Sequence, residues 1–207
     1  MKGRYLAFEG IEGAGKSTVV AAVTTWLQVQ GIDVVAVREP GGTPLGEQIR
    51  QILLDPEGAM VPWAEAMLFS AARSELAAEV VAPALADGTW VVSDRSVYSS
   101  LAYQGGGRGL GIDQVRVVNE AGLGGVWPEL VILLRVAPES GLDRQHDPDR
   151  IGGAGIELQH RVSAAFDTLA EAEPHRFLVV DASLPVDEVV ATVCAGLEER
   201  WTISSMM

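Results

Sequence analysis

Residues 8–18 read FEGIEGAGKST. Within them Gly10, Gly15, Lys16 and Ser17 satisfy the pattern G-x-x-x-x-G-K-[ST], directly after an apolar run and at the start of a helix-like stretch. Glycines let backbone N–H groups converge on phosphate oxygens, and a helix N-terminus adds a favourable dipole for an anion. The pattern assigns the loop, Gly10, Glu12, Gly13, Ala14, Gly15, Lys16, Ser17 and Thr18, to the phosphates of a nucleotide. Lys16 spans the β- and γ-phosphates, and the Ser17 hydroxyl ligates Mg2+. The chain has only two lysines, Lys2 and Lys16, against thirteen arginines, so Lys16 stands where arginine is the commoner cation.

A phosphate loop alone leaves switch, motor and kinase open. No guanine-reading N-K-x-D occurs, and VVSDRS gives Asp94 followed by Arg95 where a motor ATPase has paired acids. GGGRGLG neither fits a dinucleotide fingerprint nor follows a strand directly. Arg38, Arg73, Arg95, Arg144 and Arg150 fall at strand ends, in a helix or in a polar loop. One ATP does not require so many guanidinium groups. Two phosphorylated ligands facing each other do, since guanidinium forks pair with phosphate oxygens bidentately. Open α/β sheets bind ligands at the C-terminal strand edges, where several of these arginines stand.

Five apolar runs position this chemistry: residues 4–10, 33–39, 89–95, 129–136 and 175–182. Helix-like stretches alternate with them at 17–30, 45–54, 63–86 and 186–200. ELVILLRV is continuously apolar, as a strand buried on both faces requires. The alternation implies an α/β fold with a five-stranded parallel sheet flanked by helices, in a single domain over residues 1–207. Residues 145–155, QHDPDRIGGAG, are polar and rich in breakers and read as a short mobile lid; residues 201–207 read as a frayed tail. The net charge of −13 argues against nucleic-acid or anionic-membrane partners. No apolar run spans a bilayer, no signal-peptide pattern opens the chain, and Cys194 is the single cysteine, so a cytoplasmic protein is expected. Three histidines lack ligand spacing with Cys194, which argues against zinc.

FEGIEGAGKST, REPGGTPLGE from Arg38, LFSAAR from Leu68, DRSVYSSLAYQGGGRGLG from Asp94 and the Asp149-Arg150 pair together resemble the thymidylate kinases. The second and fourth of these are far more specific than the phosphate loop. The acidic Glu12 inside the loop, with arginines in the later lid, resembles the bacterial subtype whose lid supplies the phosphate-neutralising arginine. The resemblance implies a P-loop fold of the nucleoside monophosphate kinase type, a homodimer, and transfer of a phosphoryl group from ATP to dTMP, supplying dTTP for DNA synthesis. It implies that Phe69 stacks on thymine, that Arg73 bonds the thymine carbonyl, and that Ser100 and Gln104 meet the base edge. Arg95 holds the 5′-phosphate, helped by Arg38 or Arg50, and Glu12 lies by the 3′-hydroxyl. Tyr103 packs under the deoxyribose, Asp94 reaches Mg2+ through water, and Asp181 lies near the adenine. Lys16, Arg95, Arg144 and Arg150 are the catalytic group.

Such a reaction needs no general base, because a phosphate monoester with a second pKa of about 6 is largely ionised at pH 7. It needs two anions aligned and neutralised, with water excluded. Two positions depart from the family pattern: Arg135 stands where an aspartate is usual, and Gly152 where a glutamate is usual. They leave two alternatives open, a kinase for a related 5-modified deoxynucleoside monophosphate and a catalytically weak nucleotide-binding paralogue. Arg135, at a strand end, is expected to duplicate part of the lid's charge.

Overall fold

The computed structural model describes residues 2–144, 150–201 and 203. Among them five strands form one wholly parallel sheet: β1 Tyr5–Glu9, β2 Val34–Arg38, β3 Trp90–Asp94, β4 Leu130–Arg135 and β5 Phe177–Asp181. Their order is β2-β3-β1-β4-β5, with β1 at the centre. Every residue of β1 is buried, as are the first five of β4, which explains their unbroken apolar sequence. All five expected strands are present, each within two residues of its expected ends. The register sets the C-terminal ends level, with Phe8 opposite Asp94, Arg38 opposite Asp94, and Arg135 opposite Asp181. Connections leave β1 and β3 in opposite directions, so a crevice opens between their C-terminal ends.

Helix α1 (Lys16–Val29) returns from β1 towards β2, and α2 (Pro44–Leu54) follows β2. Thr43 caps α2 by accepting from the Gly46 N–H, and Pro44 stands at the first position, where its missing N–H costs nothing. The long helix expected over 63–86 divides into α3 (Pro62–Leu76), one wide π-turn (Ala77–Val81) and α4 (Ala82–Ala86). Pro83 supplies no N–H to the ladder, and widening the preceding turn accommodates it without breaking the helix.

The segment after β3 carries no strand or helix signal in sequence, yet it is helical: α5 (Val97–Ser100) runs into a π-turn over Leu101–Gly107. Its glycines serve close packing. A Cβ on Gly106 would overlap the Ala165 methyl, and one on Gly107 would come within 2.8 Å of Leu158 and Val162. The remaining helices are α6 (Ile112–Leu123), α7 (Pro138–Asp143), α8 (Ile156–Ala172) and α9 (Val186–Arg200). The three residues against Gly106 and Gly107 all belong to α8.

Of the segment expected to be a mobile lid, residues 145–149 lie outside the described residues. Arg150 and Ile151 are docked, with Ile151 buried among core residues, and Gly152–Ala154 form one 3-10 turn. In the segment read as a tail, Trp201 meets Trp90 edge-on at 5.3 Å and Ile203 packs on the core; residues 202 and 204–207 lie outside the described residues.

Candidate active site

A cavity of about 420 Å3 occupies the crevice between β1 and β3. At one end is the loop from Gly10 to Ser17. Gly13 and Gly15 adopt φ of +74° and +84°, conformations that an L side chain resists, and a Cβ at Gly13 would collide with the Gly141 carbonyl. Ala14 is buried beneath the loop, and Thr18 joins the lining from the first turn of α1. Lys16, only 7% exposed, folds back so that its ammonium donates to the Gly10 carbonyl at 3.2 Å and the Ile11 carbonyl at 2.8 Å. Burial and the neighbouring Arg95 charge push it down to about 8, against the pull of Glu12, Asp94 and Glu9. The Ser17 hydroxyl donates to Asp94 Oδ2 at 2.6 Å, joining the start of α1 to the end of β3.

Arg95 forms the middle of the cavity. Its φ of 73° makes it the one non-glycine residue with positive φ among the described residues. The guanidinium donates to the Gly10 carbonyl at 3.2 Å, to Ser99 Oγ at 3.1 Å and to the Glu12 carboxylate, and lies 5.1 Å from the centre of the Tyr103 ring. Burial raises the Glu12 carboxyl, but Arg95 and Lys16 outweigh it and hold the group below its ordinary value. The Arg95 N–H donates to the Phe8 carbonyl at 3.0 Å, and the turn that follows it is held by Glu9, which is fully buried. One Glu9 oxygen accepts from the N–H groups of Ser96 and Ser99 and from Ser96 Oγ, and the other accepts from Ser99 Oγ. A carboxylate at the N-terminus of α5 satisfies donors that a helix start leaves open.

The far end is lined by Phe69, Arg73, Ser100, Tyr103 and Gln104, with Arg38 and Arg50 on its rim. Arg73 is 3% exposed and held by Glu39 at 2.5 Å, Asn119 at 2.5 Å and the Ser96 carbonyl at 3.1 Å. Ser100 Oγ is buried with no hydrogen-bond partner among the described residues. Tyr103 packs edge-on against Phe166 of α8, and Gln104 donates from Nε2 to Glu65 at 2.8 Å. Arg50 donates to the Pro40 carbonyl at 2.8 Å, and Arg38 to Glu47.

Gly10 and Ala14 belong to the loop without lining the cavity, and three further expected site residues stand away from it. Arg144 donates to the Ala182 carbonyl at 3.1 Å, and Asp181 accepts from Ser183 in a tight turn, so the two lie side by side beyond the phosphate loop. Arg150 is turned into the protein, with Nε on the Leu53 carbonyl and Nη1 on Glu65 at 2.7 Å. Arg135 does not duplicate the lid charge in this arrangement: it pairs with Asp167 of α8 at 2.7 Å, because β4 ends beside that helix. Sequence reasoning passed over Glu9, Glu39, Glu65, Ser96, Ser99, Arg108 and Asn119. A glutamate closing each of two apolar runs, FE and VRE, is the signal that marks Glu9 and Glu39. Nothing local marks Glu65 or Asn119, whose partners lie tens of residues away.

The profile of the family described as thymidylate kinase matches residues 8–193. The chain belongs to the thymidylate kinase family. It is 44% identical over 202 residues to a thymidylate kinase of Deinococcus radiodurans, covering 96% of this chain and 98% of that protein. It is 43% identical to one of Pelotomaculum thermopropionicum, over 96% and 94% of the two chains. A third, from Caldanaerobacter subterraneus, is 37% identical over 96% and 97%. Membership of the thymidylate kinase family makes the protein a phosphotransferase of the nucleoside monophosphate kinase type on a P-loop α/β fold.

Proposed function

We propose that this protein transfers the γ-phosphoryl group of ATP to dTMP, with the reacting phosphates meeting at Arg95. One observation carries the reading: a single cavity joins the Lys16 and Ser17–Asp94 end to an end where Phe69, Arg73, Ser100 and Gln104 converge. Lys16 and the loop amides hold the ATP phosphates, and Arg144 and Asp181 border the adenine side. Arg95, aided by Arg38 and Arg50, takes the acceptor phosphate. Glu12 and Tyr103 flank the deoxyribose, with Tyr103 filling the space a 2′-hydroxyl would need. Phe69 stacks on the base, Arg73 donates to a carbonyl of its edge, and the orphaned Ser100 hydroxyl gains the partner it lacks. Catalysis is alignment and charge neutralisation, since the acceptor oxygen is already ionised. Arg150 acts on the transferring group only after leaving Glu65.

The hydroxyl of Ser17 and the carboxylate of Asp94, 2.6 Å apart, are hard oxygen donors of the kind Mg2+ takes. No cluster of three or more acidic, histidine or cysteine ligands exists among the described residues, which suits an ion held chiefly by substrate phosphates. Bound there, Mg2+ neutralises phosphate charge. Ser17 would hold it directly and Asp94 through water, with Lys16 as the adjacent fixed charge.

Lys16 gives this reading a pH signature. The kcat/KM for ATP reports the free enzyme, so it is expected to fall as pH rises through about 8, where Lys16 loses its proton. The fall in kcat is expected at higher pH, because bound phosphates hold the proton on the lysine. By linkage the unfolded chain, whose lysines titrate near 10.5, binds the extra proton between about pH 8 and 10.5, so Lys16's own contribution to stability rises across that window. Steady-state kinetics from pH 6.5 to 9.5 check the first two expectations; a kcat/KM flat through pH 8 contradicts the assignment of Lys16.

Coupled turnover over a panel of monophosphates tests the function itself. The expected result is a kcat/KM for dTMP at least about ten-fold above dUMP and far above dCMP. A higher value for a larger 5-substituent would assign a 5-modified substrate, and no turnover would leave a nucleotide-binding protein. Exposed apolar side chains on the adjoining helices α3 and α6, Trp63, Met67 and Val117, support the homodimer that the family implies. The absence of a membrane-crossing helix among the described residues is compatible with a cytoplasmic enzyme.

A further inference from the structure

Glu65, in the first turn of α3, is 1% exposed and does not line the cavity. Three side chains from two segments distant in sequence converge on its carboxylate. Gln104 Nε2 donates to Oε1 at 2.8 Å. Arg108 forks onto both oxygens at 3.2 Å. Arg150 donates to Oε2 at 2.7 Å. Burial alone would raise this carboxyl, but the bonds from Gln104, Arg150 and Arg108 hold it below its ordinary value, so it is ionised at neutral pH. An ionised carboxylate only accepts hydrogen bonds. The side-chain amide of Gln104 therefore presents its NH2 to Glu65, and the reverse orientation would set two oxygens against each other. The carbonyl oxygen of that amide is then the atom left for the cavity that Gln104 lines.

We infer that Glu65 is a specificity-determining positioning residue: by fixing the amide of Gln104 it makes the base end of the cavity an acceptor, matched to a pyrimidine that carries N3–H. This rests on the base-end reading given above. Thymine and uracil have a donor at N3 and a carbonyl at C4. Cytosine has an acceptor at N3 and a donor amine at C4. An acceptor from Gln104 beside the donor Arg73 fits the first pair and opposes the second at both positions, the condition under which a polar site discriminates strongly. Arg108 and Arg150 complete the device. Two guanidinium groups keep the buried carboxylate charged, and a charged partner cannot turn round to donate. The arrangement also ties base reading to Arg150 of the lid segment, because Arg150 and Gln104 share one carboxylate.

The test compares dTMP, dUMP, dCMP and N3-methyl-dTMP in the unmodified protein and in Glu65→Gln. In the unmodified protein N3-methyl-dTMP should lose at least about ten-fold in kcat/KM; no loss would remove the base-end reading itself. Given that loss, Glu65→Gln should lower the dTMP-to-dCMP ratio of kcat/KM by about ten-fold or more, since a neutral amide partner lets Gln104 take either orientation. The dTMP-to-dUMP ratio should stay within about two-fold, because both bases present the same edge. A purely structural role predicts equal losses on all three substrates and an unchanged dTMP-to-dCMP ratio, and that result overturns the proposal. A readout in the unmodified protein covers a variant that does not fold. One Gln104 carboxamide proton should exchange slowly with solvent in the free enzyme, and rapid exchange of both protons would equally overturn it.

Discussion

Lys16→Ala is expected to lower kcat by about a thousand-fold or more, roughly 4 kcal/mol of transition-state stabilisation, while dTMP affinity changes by less than about three-fold. In the free protein the ammonium rests on two loop carbonyls and forms no ion pair among the described residues. Its position is thus set by the backbone that also shapes the phosphate site, and a nucleotide meets a cation already in place. Truncation leaves the Gly10 carbonyl with its bond from Arg95, so the loop retains one of its tethers. Lys16→Arg is expected to rescue little, since a planar fork cannot occupy a pocket closed around a point charge. Coupled turnover together with calorimetric dTMP titration separates the two effects. Turnover within about ten-fold of normal, or equal loss of dTMP binding, would contradict the assignment of Lys16 to the ATP phosphates.

The second large effect is expected at Arg95. Arg95→Ala should weaken dTMP binding by about a hundred-fold and lower kcat as well, with the KM for ATP changed by less than about three-fold. Burial works against this charge, and Glu12, Tyr103 and Glu9 outweigh it and raise its pKa, so the guanidinium is permanently cationic. Its hydrogen bonds reach the loop, α5 and Glu12, and Tyr103 lies beneath it, which leaves little freedom to lose when a phosphate arrives. Arg95→Lys preserves charge but not the fork and should recover only part of the affinity. Isothermal titration with dTMP and with ATP measures both arms; unchanged dTMP affinity in the alanine variant would make Arg95 a structural tether between β1 and β3.

The sheet was legible because its physics is local. Each strand is a short apolar run whose burial on both faces removes any need for alternation, and the phosphate loop follows the first of them in a context few other structures share. The turns of the second half of the cavity were not legible in that way. SSLAYQGGG has the composition of a loop, yet it is helical, and it packs so closely on α8 that no side chain fits at Gly106 and Gly107. Glu65 and Arg150 are 85 positions apart and Arg73 and Asn119 46, so no window of sequence contains either pair. Its strand-end position makes Arg135 look like a cation that duplicates part of the lid's charge. Its pairing with Asp167 depends on the course of α8, which periodicity does not specify.

The contact between Gly106 and Ala165 has a consequence for what sequences this protein can tolerate. Because a Cβ at 106 would occupy the volume of the Ala165 methyl, the two positions share space for a single methyl group. An alanine at 106 is admissible when 165 becomes glycine, and neither exchange alone preserves both the packing and the cavity-free fit. The helix that follows the lid and the turn that carries Tyr103 and Gln104 are therefore bound to change together, so substitutions that reshape one lid anchor are screened by the geometry of the nucleoside pocket.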